Sequence, residues 1–191
     1  NGSSTNAYGG AINVGGQSEN LSIRNCDFYQ NFGLTGGAIR SYLNVDTGMT
    51  FENCTFEDNL SRYGSGMYFL VNTNRTVNLD ITNCLFFDNE SYNVNGSNLG
   101  FTGSAIWARA NTSGSNLTTT ITNSTFANNT DVGTQSGSQR GALALGRRTD
   151  GNSTHNVTIN NSVFYFNDGA SNATTAAVNF GHTAAPNQVF V

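Results

Sequence analysis

The side chains of this sequence that could do chemistry fall into a repeating pattern. Cys26, Cys54 and Cys84 each follow an Asn and stand two residues before a Phe, and Ser124 and Ser162 take that place in later copies. Acidic residues gather at Glu57, Asp58 and Asp88, while His155 and His182 stand apart in polar stretches. Glycosidic-bond cleavage needs two or three acids held within a few ångströms for acid and base roles. The outward positions that the repeat defines carry one acid in each column, Asp27 in one and Glu57 in the next, and no Ser/His/Asp or Cys/His set presents itself. We therefore assign no catalytic residue and no cofactor, and read Glu57, Asp58 and Asp88 as solvated turn acids or a weak Ca²⁺ site. The cysteines lie one repeat apart in a single column without a histidine in register, which argues against a metal centre. Stacked strands ~4.8 Å apart bring such cysteines within disulfide reach. Three cysteines allow either one bond and a free thiol or three buried thiols, and we favour the thiols because inward Cys behaves as a small hydrophobe.

The second chemical signal is modification. Asn-x-Ser/Thr occurs at Asn1, Asn20, Asn53, Asn59, Asn74, Asn89, Asn95, Asn111, Asn116, Asn123, Asn128, Asn152, Asn156, Asn160 and Asn172. A chain this rich in Asn, Ser and Thr makes sequons by composition alone. Their density is otherwise that of a secreted, N-glycosylated eukaryotic protein, the reading preferred here. Outer-loop positions Asn74, Asn95, Asn111, Asn116, Asn152 and Asn172 are then the expected carriers, with Asn156 and Asn160 flanking a strand.

These groups are positioned by an internal repeat. Phe-x-x-Asn occurs at Phe28/Asn31, Phe56/Asn59, Phe86/Asn89, Phe126/Asn129 and Phe164/Asn167, and a small-small-Ala-Ile element recurs alongside it, as Gly9-Gly10-Ala11-Ile12 and Gly36-Gly37-Ala38-Ile39. Its later copies align as Ser65-Gly66-Met67-Tyr68, Gly103-Ser104-Ala105-Ile106, Arg140-Gly141-Ala142-Leu143 and Thr175-Ala176-Ala177-Val178. Self-similarity on this scale means stacked supersecondary units. We read residues 1–191 as one elongated domain of five to six rungs, either a processed subunit or a fragment of a longer solenoid. The 22 Gly, the single Pro and the 10% charged residues fit turn-rich β structure.

Within a rung, alternation predicts inward pairs Ile12/Val14, Ile39/Ser41, Tyr68/Leu70, Ile106/Ala108, Leu143/Leu145 and Val178/Phe180. A second wall reads Leu21, Met49, Leu79, Thr119, Val157 and Ile23, Phe51, Ile81, Ile121, Ile159, followed by the five Phe. Asn25, Asn53, Asn83, Asn123 and Asn161 form one corner column, and Asn31, Asn59, Asn89, Asn129 and Asn167 another. There, side-chain amides can bond their copies one rung away and satisfy buried turn backbone. Polar segments 89–102, 111–118, 130–139 and 149–156 are expected as outer loops.

The outward column of the small-small-Ala-Ile strands then reads Asn13, Arg40, Phe69, Trp107, Ala144, Asn179, setting Phe69 beside Trp107. Leu85, Phe87, Val163 and Tyr165 form a second outward apolar patch. Both are interface candidates, suited to carbohydrate stacking or a protein partner where no loop covers them.

The paired motifs Gly-Gly-Ala-Ile and Phe-x-x-Asn, recurring in order over nearly the whole chain, resemble the repeats of the chlamydial polymorphic outer membrane proteins and related surface proteins. The resemblance implies an all-β, right-handed parallel β-helix, extracellular exposure, and a role in adhesion or surface architecture. A net charge of −4 with all eight basic residues Arg offers no basic stripe to nucleic acid. No apolar run reaches the ~20 residues of a membrane helix. The expected function is a glycosylated extracellular solenoid that assembles with itself, end to end or laterally. An adhesin or carbohydrate-binding module is the alternative, and a polysaccharide-active enzyme comes third.

Overall fold

In the computed structural model the protein is a right-handed parallel β-helix. The structure describes residues 8–72, 74–92, 103–132, 141–147, 152–169, 178–181 and 189–190. Asn1, Asn95, Asn172 and His182 lie outside them, as do the side chains of Asn179 and Phe180.

Every strand pair is parallel, and four sheets run the length of the stack. The first contains Ile12–Val14, Ile39–Leu43, Met67–Val71, Ile106–Ala110, Leu143–Arg147 and Val178–Gly181. The second contains Leu21–Arg24, Thr47–Glu52, Thr76–Thr82, Asn116–Thr122, Thr154–Asn160 and Val189–Phe190. The short third sheet is Asp27–Tyr29, Thr55–Glu57, Leu85–Phe87, Thr125–Ala127 and Val163–Tyr165, and the fourth, of two-residue strands, is Phe32–Gly33, Leu60–Ser61, Glu90–Ser91, Thr130–Asp131 and Asp168–Gly169. Neighbours in each sheet are one rung apart, so alternation within a strand becomes columns down the stack.

The sheets turn into one another through residues with positive φ. Asn25, Asn53, Asn83, Asn123 and Asn161 carry φ of 47–53° between the second and third sheets. Gln30, Asp58, Asp88, Asn128 and Phe166 carry φ of 48–56° between the third and fourth. Left-handed backbone is tolerated by Gly, Asn and Asp far better than by other residues, which is why these corners read as Asn and Asp columns. Inside, Phe28, Phe56, Phe86, Phe126 and Phe164 stack in near-parallel array, with ring centroids 4.8, 4.5, 4.7 and 4.9 Å apart. Columns Leu21-Met49-Leu79-Thr119-Val157 and Ile23-Phe51-Ile81-Ile121-Ile159 line the opposite wall.

Three expectations are corrected. In the third rung the first-sheet register is one residue earlier than Ser65-Gly66-Met67-Tyr68 implies. Ile39 pairs with Met67 and Ser41 with Phe69, so Met67, Phe69 and Val71 point inward and are fully buried. The residue that sets this register is the positive-φ glycine: Gly9 (67°), Gly36 (69°) and Gly64 (58°) occupy equivalent turns, where a Cβ would run into the carbonyl three residues on. The motif copy is thus Gly64-Ser65-Gly66-Met67. Second, segments 111–118 and 149–156 are not loops throughout, since Asn116–Thr122 and Thr154–Asn160 are long second-sheet strands. Third, His155 lies inward on such a strand rather than in a polar loop, in column with Val77 and Leu117.

Candidate functional site

The buried Asn side chains of the interior are committed to one another and to the backbone. In the second Asn column each amide serves three neighbours: Asn59 Nδ2 donates to Asn89 Oδ1 (2.9 Å) and to the Phe28 carbonyl (2.9 Å), while Asn59 Oδ1 accepts from the N–H and Nδ2 of Asn31. Asn89, Asn129 and Asn167 continue the scheme, donating to the carbonyls of Phe56, Phe86 and Phe126. Asn59, Asn89 and Asn129 are fully buried. The first Asn column is exposed and linked more loosely, Asn53 Nδ2 donating to Asn25 Oδ1 at 3.2 Å and Asn83 Nδ2 to Asn53 Oδ1 at 3.3 Å. A further column, not singled out in the sequence, follows the first sheet, where Asn111 Nδ2 donates to Asn72 Oδ1 at 2.8 Å.

Cys26, Cys54 and Cys84 are free thiols at the bend between the second and third sheets. Burial raises the Cys54 thiol above its ordinary value and pushes that of Cys84 up to about 11. Ser124 replaces the thiol with a hydroxyl that accepts the Cys84 N–H at 3.1 Å and donates to the Thr122 carbonyl at 3.0 Å. His155 is enclosed: its Nδ1–H donates to the Gly146 carbonyl at 2.9 Å and its Nε2 accepts from the Thr119 hydroxyl at 2.9 Å. Desolvation drives its pKa down to about 4, only partly opposed by the bond to Gly146. This histidine ties the first and second sheets together as a neutral group.

Asp58 and Asp88 occupy left-handed corner positions, Asp58 Oδ2 accepting from Gln30 Nε2 at 2.9 Å. Among the described residues, no three His, Cys, Asp or Glu side chains come together as a metal-ligand set. Of the sequon positions, Asn74, Asn152 and Asn156 are exposed and Asn160 is half-buried. Asn111 and Asn116 differ from the loop positions expected of them. Asn111 is held in its column, and Asn116 sits on a strand with Nδ2 on the Gly114 carbonyl and Oδ1 accepting from Thr154 Oγ1. Several sequons arise from strand alternation itself, as in Asn116-Leu117-Thr118 and Asn156-Val157-Thr158, where two outward polar residues flank an inward apolar one.

The outer face of the first sheet gathers a different chemistry. Its outward column is Asn13, Arg40, Tyr68, Trp107 and Ala144, with Tyr42, Leu70, Arg109 and Gly146 alongside. Phe69, expected here, is in the core, and Tyr68 takes its place. The Tyr68 and Trp107 rings stack at 4.5 Å and 1°, and Tyr63 meets both edge-on at 6.5 and 6.3 Å. The Arg40 guanidinium lies over the Tyr8 ring at 4.5 Å and the Tyr42 ring at 5.2 Å, and Arg62 over Tyr63 at 5.5 Å. Trp107 and Leu70 are almost fully covered, Tyr42, Tyr63 and Tyr68 are half-buried, and Tyr8 is 43% exposed. Burial pushes the Tyr68 phenol up to about 12 and raises that of Tyr63, so both stay neutral donors. Reading the third rung from Gly64 would have found Tyr68; Tyr8 and Tyr63 precede their strands, and no alternation signals them.

The second apolar patch does not form a unit. Leu85 and Val163 are separated by Thr125, and Phe87 and Tyr165 by Ala127, on the third sheet. Val163 and Tyr165 are exposed, and Phe166 packs on Tyr165 at 4.0 Å. Neither a protein-family model, a curated protein nor a solved structure matches the chain.

Proposed function

We propose that this β-solenoid is an extracellular, N-glycosylated binding module of the adhesin type, which takes surface carbohydrate on the outer face of its first sheet. The observation that carries the reading is the grouping of Tyr8, Tyr42, Tyr63 and Tyr68 with Arg40 and Arg62 on one side of the stack. Flat rings with phenol hydroxyls offer a stacking surface for sugar C–H faces and donors for sugar oxygens. The resemblance of Gly-Gly-Ala-Ile and Phe-x-x-Asn to chlamydial surface-protein repeats points the same way, toward adhesion. Glycan-array binding tests it: retention of saccharides by the intact chain, reduced at least tenfold by Tyr8→Ala and Tyr42→Ala, is the expected result. An array with no retained saccharide would end this reading.

Self-association is the second reading. Its support is the direction of the second Asn ladder, in which each amide gives to the next rung, so that copies joined through it would meet head to tail. Head-to-tail contact is heterologous and would build a filament. Sedimentation across a concentration series separates the readings: a binding module stays a monomer, and a scaffold polymerises.

A further inference from the structure

Charge is distributed unevenly around the solenoid. The chain is acidic overall, with twelve Asp and Glu against eight Arg. Outward positions of the second, third and fourth sheets hold Glu52, Asp80, Asp27, Glu57 and Glu90. No outward position of the described first-sheet strands is acidic: these are Asn13, Arg40, Tyr42, Tyr68, Leu70, Trp107, Arg109, Ala144 and Gly146. Arg62 stands at the adjoining corner against Tyr63. The aromatic face is therefore the cationic face of an anionic molecule.

The two guanidinium groups are also incompletely partnered. Arg24 and Arg75, elsewhere on the stack, face Glu52 and Asp46 at 3.1 and 3.8 Å. Among the described residues Arg40 has no carboxylate partner: its Nη1 donates to Asn13 Oδ1 at 3.1 Å, and its Nε–H finds no acceptor although it is buried. Arg62 Nε–H is in the same condition. A buried donor without an acceptor costs about 1–3 kcal/mol, which leaves these two guanidinium groups less well compensated than Arg24 and Arg75. Flanking rings hold the guanidinium planes without satisfying their edges.

We infer that the saccharide taken by this face is acidic and bears carboxylates, each meeting the planar edge of Arg40 or Arg62 while the sugar ring lies on the neighbouring tyrosines. This rests on the carbohydrate-binding reading and narrows it. A planar carboxylate matches the two-donor edge of guanidinium in a way that a neutral hydroxyl does not. With only these few cations, spaced among rings, the face lacks the charge density that a phosphate backbone or a heavily sulfated chain demands.

The test is affinity electrophoresis of the intact chain in gels containing hyaluronate, dextran or dextran sulfate. Retardation by hyaluronate, weakening as salt rises from about 0.05 to about 0.5 M, is expected. Arg40→Gln and Arg62→Gln should each lower affinity about tenfold with the thermal melting point held, and Arg40→Lys should rescue it only in part, since an ammonium keeps the charge without the fork. Arg24→Gln, on another sheet, should leave binding unchanged. Equal, salt-insensitive retardation by dextran would overturn the inference and leave the carbohydrate reading standing. Stronger binding to dextran sulfate than to hyaluronate would overturn the carboxylate assignment. No retardation by any of the three would remove both.

Discussion

Asn59 and Asn89 are joined through a single oxygen: Asn89 Oδ1 accepts both the side-chain Nδ2 of Asn59 at 2.9 Å and its backbone N–H at 3.2 Å. Removing that oxygen strands two buried donors at once, and removing Asn89 Nδ2 also strands the Phe56 carbonyl. Asn89→Ala should lower unfolding free energy by about 3 kcal/mol in urea titrations. Asn83→Gly, at an exposed corner where glycine tolerates the same φ, should change it by under about 1 kcal/mol. Equal effects at the two positions would refute the distinction between an interior and a surface ladder.

His155 makes stability pH-dependent in a defined window. Its pKa in the folded protein, about 4, lies below the ordinary 6.5 that it regains on unfolding. The unfolded chain therefore binds the proton first. Full stability is present above about pH 6.5, falls as pH drops toward about 4, and levels off below, for a total of about 3 kcal/mol from this one group. Comparing wild type with His155→Leu by urea titration across that range isolates the effect, because the variant loses this slope.

Phe166 stands at φ 48° where the preceding rungs have Gln30, Asp58, Asp88 and Asn128, and it is 72% exposed. A bulky residue in left-handed backbone costs about 1–2 kcal/mol, and little burial offsets it here. Phe166→Asn is predicted to stabilise the protein by about 1 kcal/mol, read as a higher melting temperature. A lower melting temperature would mean that the ring's packing on Tyr165 outweighs the strain.

Thiol reactivity should sort by depth. Cys26 is half-buried, whereas Cys54 and Cys84 are buried and their thiols are shifted upward by desolvation. At mildly alkaline pH an aromatic disulfide reagent should label one cysteine per folded chain, found at Cys26 by peptide mapping, and all three after denaturation.

Glycan occupancy divides the sequons physically. Asn59 and Asn89 are fully buried with both amide hydrogens bonded, and Asn111 and Asn116 donate to Asn72 and Gly114. Glycopeptide mass spectrometry of chain made in a eukaryotic secretory pathway should find sugar on exposed Asn74, Asn152 and Asn156 and none on Asn59 or Asn89. Heavy occupancy of the buried pair would contradict the ladder.

The amino-acid sequence by itself determined the stack. Five Phe and two Asn columns recur because each rung must meet its copy one strand spacing away, and like side chains pack best in register. The Asn and Asp corners were legible for a local reason, since left-handed backbone admits few residue types. Faces were harder, because β structure has a period of two and a slip of one exchanges inside for outside. Gly64-Ser65-Gly66 offers two alignments of the motif. Only the folded turn, with positive φ at Gly64, put Phe69 in the core and Tyr68 beside Trp107. His155 shows the same limit from the other side. Its polar neighbours suggested a loop, but the long second-sheet strand turned it inward between Thr119 and Gly146, where two hydrogen bonds make burial of a neutral imidazole tolerable. The aromatic and arginine face was likewise decided in three dimensions. Tyr8, Arg40, Tyr63 and Tyr68 come from three successive turns of the chain, and only the coil's return at each rung brings their side chains to one surface.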